Sequence, residues 1–97
     1  METQVTVIAQ LVAAEGKDNE LKEMLLNLIE PSRNDKGCIN YDLHQSEDNS
    51  KLFMFHENWA SKKLLDKHLA TPHLQEFIKK SEGLLAKPLD VSLWNKL

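Results

Sequence analysis

Lys51-Leu52-Phe53-Met54-Phe55-His56-Glu57-Asn58-Trp59 reads as a strand of period two, with Phe53, Phe55, Glu57 and Trp59 on one side and Leu52, Met54, His56 and Asn58 on the other. Both sides begin apolar, so a sheet containing this strand needs cover on both faces. The run ends in ionisable and aromatic groups and feeds Leu65-Asp66-Lys67-His68-Leu69-Ala70-Thr71-Pro72-His73, a helical segment with two further histidines. Hydrophobic surface and titratable side chains therefore converge, as a small reactive pocket requires.

Working outward, Gln4 to Val12 alternates Val5, Val7, Ala9 and Leu11 against Thr6, Ile8, Gln10 and Val12 as the first strand. Gly16 breaks it, Asp18 and Glu20 suit a helix N-terminus, and Leu21, Met24, Leu25, Leu28 and Ile29 give the first helix an apolar stripe. Pro31 lacks an N–H and disfavours helical geometry at Glu30, which predicts an end or kink there, before an Asp35-Lys36-Gly37 turn.

Ile39, Tyr41, Leu43 and Gln45 alternate with Asn40, Asp42 and His44 as the second strand, which pairs with the Lys51–Asn58 strand across the polar loop Glu47–Ser50. Ser61 is a candidate N-cap for a short helix carrying Leu64, Leu65, His68 and Leu69. Thr71-Pro72 restarts it through Leu74, Phe77 and Ile78. Leu89, Val91 and Leu93 against Asp90, Ser92 and Trp94 make the fourth strand.

The order β-α-β-β-α-β is the split βαβ of ferredoxin-like folds, an α+β class: a four-stranded antiparallel sheet with both helices on one face. The chain's own helices cover only that face. The other, with Leu52, Met54, Ile8 and Val12, calls for a second sheet, most simply a second copy related by a two-fold, so a homodimer is expected.

Ninety-seven residues fit one domain, residues 1–97, with a thin core. Twelve basic residues against fifteen acidic ones give a net charge of −3, and the lysines are scattered, which argues against a nucleic-acid partner. Cys38 is the only cysteine, so an intrachain disulfide and a cysteine-based zinc site are excluded. The opening Met1-Glu2-Thr3-Gln4 has no signal-peptide character and no apolar run reaches a membrane span, so no membrane partner and a cytoplasmic location are expected.

Glu57, beside two phenyl rings and an indole, is the first base candidate, because desolvation disfavours its charged form; the plainer alternative is a strand-end carboxylate capped by lysine or backbone. His68 lies at the edge of an apolar stripe and His73 in the first turn after Pro72, each open to a catalytic or a structural reading. No metal is expected, since His68 and His73 are five apart across a proline and would not share a helical face. Tyr41 and His44 fall on opposite faces of their strand, so at most one reaches the pocket, and the register that decides between them is unreadable.

Gly37-Cys38-Ile39-Asn40-Tyr41, Phe53-x-Phe55-x-Glu57-Asn58-Trp59 and His68-x-x-Thr71-Pro72-His73, in that order and spacing, resemble the antibiotic biosynthesis monooxygenase domain in its small stand-alone, quinol-monooxygenase-like branch. The resemblance implies a dimeric α+β barrel that oxidises a small aromatic or quinol substrate with molecular oxygen and uses no cofactor. The catalytic candidates under that reading are the Glu57, His68 and His73 already singled out from the residues, with Phe53, Phe55, Trp59 and Leu65 around the substrate.

Trp59 matches the pocket tryptophan of polyketide-oxidising relatives. Phe55 and Leu65 stand where those enzymes place an asparagine and a tyrosine, which implies a more apolar pocket. The haem-degrading branch fits poorly, lacking its strand-one asparagine and helix-two tryptophan here. Two other readings stay open: an isomerase of a small phosphorylated ketone of the autoinducer-2 processing type, and a non-catalytic dimeric stress-response or ligand-binding barrel.

Overall fold

The computed structural model describes residues 3–97; Met1 and Glu2, where the leaderless reading of the N-terminus begins, lie outside the described residues. The elements are β1 (Val5–Val12), α1 (Asp18–Arg33), β2 (Cys38–Gln45), β3 (Leu52–Trp59), α2 (Lys62–Leu69), α3 (Pro72–Ser81), a 3-10 turn (Glu82–Leu84) and β4 (Asp90–Trp94). The strands form one antiparallel sheet in the order β2-β3-β1-β4, the ferredoxin-like α+β arrangement, with its second helical region divided in two.

Alternation on the two central strands builds the core. Val5, Val7, Ala9 and Leu11 of β1 and Phe53, Phe55, Glu57 and Trp59 of β3 are all buried on one side of the sheet. Leu21, Leu25 and Leu28 of α1, Leu65 of α2, and Leu74 and Phe77 of α3 close over them, each helix contributing the stripe that its 3.6-residue period provides. On the opposite side Ile8, Val12, Leu52 and Met54 remain partly exposed beside a polar cluster in which Asn58 bonds Thr6 and Asn40.

Pro31 neither ends nor breaks α1, which continues to Arg33. Its missing N–H releases the carbonyl of Asn27, a residue on the exposed side of the helix where water is an alternative partner. The helix then closes through Asn34 N–H to Glu30 O at 3.2 Å and Asp35 N–H to Ser32 O at 3.1 Å. The extra turn delivers Asp35 toward the helices that carry the histidines.

Ser61 caps α2 as its sequence suggests, its Oγ accepting from Leu64 N–H at 3.2 Å. Thr71 precedes α3 with Pro72 in the first turn, but its hydroxyl donates back to His68 O at 2.7 Å instead of capping α3. That bond ties the end of α2 to the start of α3 and turns residues 68 and 73 toward one point.

Gly37 holds the Asp35 turn against α2. Its φ is +89°, and a Cβ there would lie 2.5 Å from Leu64 Cδ1 and 2.7 Å from Leu64 Cβ; its carbonyl accepts Ala60 N–H at 2.8 Å. Gly37→Ala therefore meets both a left-handed backbone and a packed side chain, and is expected to lose about 2–4 kcal/mol in urea unfolding. A loss under about 0.5 kcal/mol would show that this turn does not need glycine.

Candidate active site

Register sets the site. Glu57 lies opposite Val7 on one side and Tyr41 on the other, so its carboxyl is enclosed by the two neighbouring strands and covered by α2. Trp59 Nε1–H donates to Glu57 Oε1 at 2.8 Å, two residues along the same face of β3. The indole stacks on the His68 ring at 4.4 Å, and Tyr41 meets the same ring edge-on at 5.5 Å. Tyr41 also contacts Phe55 at 4.7 Å between ring centres.

A cavity of about 260 Å³ lies between this face of the sheet and the helices. Val7, Ala9 and Leu11 of the sheet and Leu74, Phe77 and Ile78 of α3 make it mostly apolar, while Tyr41, Glu57, Lys62 and His68 supply its polar groups. Leu89, Val91 and Leu93 line the side toward β4, and each is exposed. An apolar cleft with a few convergent polar groups is the usual form of a small-molecule site.

Of the residues singled out from sequence, Phe55, Glu57, Leu65 and His68 line this cavity. Phe53 and Trp59 are buried in the wall behind it, Trp59 touching the site through Glu57 and His68. His73 lies outside the cavity and is joined to His68 through Asp35, whose Oδ2 is 2.7 Å from His68 Nδ1 and 2.9 Å from His73 Nε2. Tyr41 is the member of its pair that faces the site; His44 lies opposite Met54, on the other face.

The spacing that keeps His68 and His73 off one helical face does not keep them out of one site. They occupy two helices, and the break at Thr71-Pro72 brings both onto one carboxylate oxygen. Asp35, His68 and His73 have donor types that can hold a metal, with the ligand atoms within 4.8 Å of one another. Yet both nitrogens facing Asp35 already engage it by hydrogen bonds, and among the described residues neither outward nitrogen has the carboxylate or carbonyl partner that normally orients a ligating imidazole. The cluster fits a hydrogen-bonded triad better than a metal centre.

Asp35 and the site-facing Tyr41 were the residues that single-sequence reading left unassigned. The aspartate sits in a polar turn with no motif around it. Tyr41 could be placed only by knowing that the Glu47–Ser50 loop pairs Gln45 with Phe53.

Burial pushes the Glu57 carboxyl up to about 7, against the opposing bond from Trp59. Burial also holds the His68 imidazole below its ordinary value, against the raising pull of Asp35. Near neutral pH, His68 is therefore uncharged while Glu57 sits near its midpoint, a pairing suited to moving protons in an apolar site.

Burial and the neighbouring Glu57 raise the Tyr41 phenol, which stays protonated; Ser32 opposes that rise, although its buried hydroxyl meets no partner in hydrogen-bond geometry among the described residues. Burial and Glu57 push the Cys38 thiol up to about 11, which removes it as a neutral-pH nucleophile.

The sequence model described as antibiotic biosynthesis monooxygenase matches residues 4–80. An uncharacterized Synechocystis protein is 34% identical over 90 residues, 93% of this chain, which spans 61% of that relative's length. A Mycobacterium tuberculosis protein provisionally named a monooxygenase is 32% identical over 96% of this chain and 91% of its own length. A crystal structure of a Pseudomonas aeruginosa protein superposes with a TM-score of 0.94 at 36% identity, covering 100% of this chain and 97% of that one.

The desolvated carboxyl carries a stability signature. Glu57 ionises near 7 when folded and near 4.5 as an unperturbed group, so between these values the folded chain holds the extra proton and stability falls as pH rises; above about 7 the loss is complete. Glu57→Gln lacks this term, so urea unfolding should show the wild type losing roughly 3 kcal/mol relative to the variant from pH 4 to pH 8. A pH-independent difference would place the carboxyl in a solvated environment.

Proposed function

The chain belongs to the antibiotic biosynthesis monooxygenase family, and from that premise we propose that it is a monooxygenase oxidising a small quinol or phenolic substrate with molecular oxygen. The observation that carries the proposal is the cavity itself: an apolar space in which a neutral imidazole and a carboxyl near its midpoint are the proton-transfer groups.

His68 takes the phenolic proton, and the resulting phenolate is electron-rich enough to give one electron to oxygen. Radical recombination then forms a ring carbon–oxygen bond, and the peroxide is protonated. Loss of the ring proton as the O–O bond breaks leaves one oxygen atom on the substrate and the other in water. All four electrons come from the substrate, so the balance needs no separate reductant. Glu57 exchanges protons during the peroxide steps, and Trp59 holds its carboxyl toward the site.

The isomerase alternative finds less support, because a phosphorylated ketone needs an anion site. Lys62 is the cation lining the cavity and it pairs with Asp66 at 2.6 Å, while Arg33 pairs with Asp42 on β2.

We propose a homodimer as the working assembly, formed through the uncovered face of the sheet, where Ile8, Val12, Leu52 and Met54 are partly exposed. Sedimentation should give twice 11.1 kDa for the wild type and about 11.1 kDa for Ile8→Glu. Monomeric wild type at micromolar concentration would contradict this assembly.

Oxygen uptake tests the activity. With a panel of reduced quinols and phenols, uptake should exceed autoxidation, fall about 10²–10⁴-fold in His68→Ala, and fall roughly tenfold in Trp59→Phe, which loses one hydrogen bond to Glu57. No excess uptake across the panel would refute the monooxygenase and favour a binding barrel. Unchanged rates in both variants would move the chemistry elsewhere.

A further inference from the structure

The contacts of Asp35 and His73 outside the cavity have a consequence inside it. His68 Nδ1 faces Asp35 Oδ2 at 2.7 Å, and His68 Nε2 makes no hydrogen bond among the described residues. The cavity side of this ring is thus left to whatever occupies the site, and the state of Nε2 is decided at the other nitrogen. A carboxylate can only accept, so Asp35 fixes the proton on Nδ1 and leaves the lone pair on Nε2. An unconstrained histidine favours the opposite tautomer.

Asp35 is itself held. It sits in the turn between α1 and β2, partly exposed, with no hydrogen bond to its carboxylate from that turn among the described residues. The second bond to the same Oδ2 comes from His73 Nε2 at 2.9 Å. Thr71 Oγ1, which donates to His68 O, lies 3.2 Å from the same His73 nitrogen and offers it an acceptor. This places the Nε2 proton of His73 between Thr71 and Asp35 and makes His73 a donor to the carboxylate. Two imidazoles from successive helices thereby clamp one oxygen.

We propose that Asp35 and His73 are positioning residues that set the working tautomer of His68: Asp35 as the acceptor that pins the proton on Nδ1, and His73 as the second donor that keeps the Asp35 oxygen in place. Neither touches the cavity. The role assigned to the Nε2 lone pair, taking the substrate proton, rests on the monooxygenase reading; the tautomer itself does not.

Long-range ¹⁵N–¹H spectra of the histidine rings at neutral pH read the tautomer directly, without substrate. In the wild type, His68 should show the Nδ1–H form, with an unprotonated Nε2 and a slowly exchanging Nδ1 proton. Asp35→Ala should move at least half of the population to the Nε2–H form. Asp35→Asn, nearly isosteric, serves if the alanine variant does not fold; its amide can face the ring as donor or acceptor, so a mixture is expected.

His73→Leu, which keeps bulk but not the donor, should show faster exchange at His68 Nδ1 by about tenfold. His73→Gln, which can still donate an N–H, should restore slow exchange. This rescue separates donation from space filling.

A wild-type Nε2–H tautomer, or an Nδ1–H tautomer that persists fully in both Asp35 variants, would overturn the role of Asp35. Equal exchange in wild type and His73→Leu, or no rescue by glutamine, would overturn that of His73. Failure of oxygen uptake with these spectra as expected would instead refute the monooxygenase and leave the tautomer assignment standing.

Discussion

The hydrogen bond from Trp59 Nε1 to Glu57 Oε1, 2.8 Å long and wholly buried, is the contact on which the other features of the site depend. A carboxyl on the covered face of a central strand loses its hydration, and its burial is tolerable only if it is protonated or bonded. The indole supplies one bond and leaves the carboxyl near its midpoint at neutral pH. By holding the carboxyl, it also fixes its own plane, against which His68 stacks. From His68 the line of contacts runs to Asp35 and on to His73.

This sequence of contacts explains why the fold spends buried surface on polar residues. Glu57 and His68 are each more than nine-tenths buried, yet they are not an ion pair. Each has its own partner on the wall side and turns toward an apolar cavity. Desolvation moves the two groups toward each other, raising the carboxyl and lowering the imidazole, so both can be uncharged in the same space. An uncharged site suits the neutral aromatic substrate proposed for it, because proton transfer then creates charge only as reaction proceeds.

Much of this was legible in the sequence because period-two alternation is unambiguous on a strand with a carboxylate among aromatics. It placed Phe53, Phe55, Glu57 and Trp59 on one face and led to the ferredoxin-like order. Pro31 misled because its effect depends on where the orphaned carbonyl points, and Asn27 points outward. His68 and His73 were weighed only by whether they share one helical face, whereas the Thr71-Pro72 break, itself legible, lets two helices bring them to one oxygen. Asp35 was invisible: a residue in a polar turn becomes functional only when the turn is folded against α2, and that depends on the fit of Gly37 to Leu64.

The central claim, that substrate electrons reduce oxygen within this cavity and one oxygen atom stays on the substrate, is tested most directly with ¹⁸O₂. Mass spectrometry of the product from a quinol that supports uptake should show one ¹⁸O atom per molecule formed, with the second recovered as labelled water and no hydrogen peroxide. Unlabelled product with stoichiometric hydrogen peroxide would contradict the account, because the protein would then be promoting electron transfer without oxygen insertion.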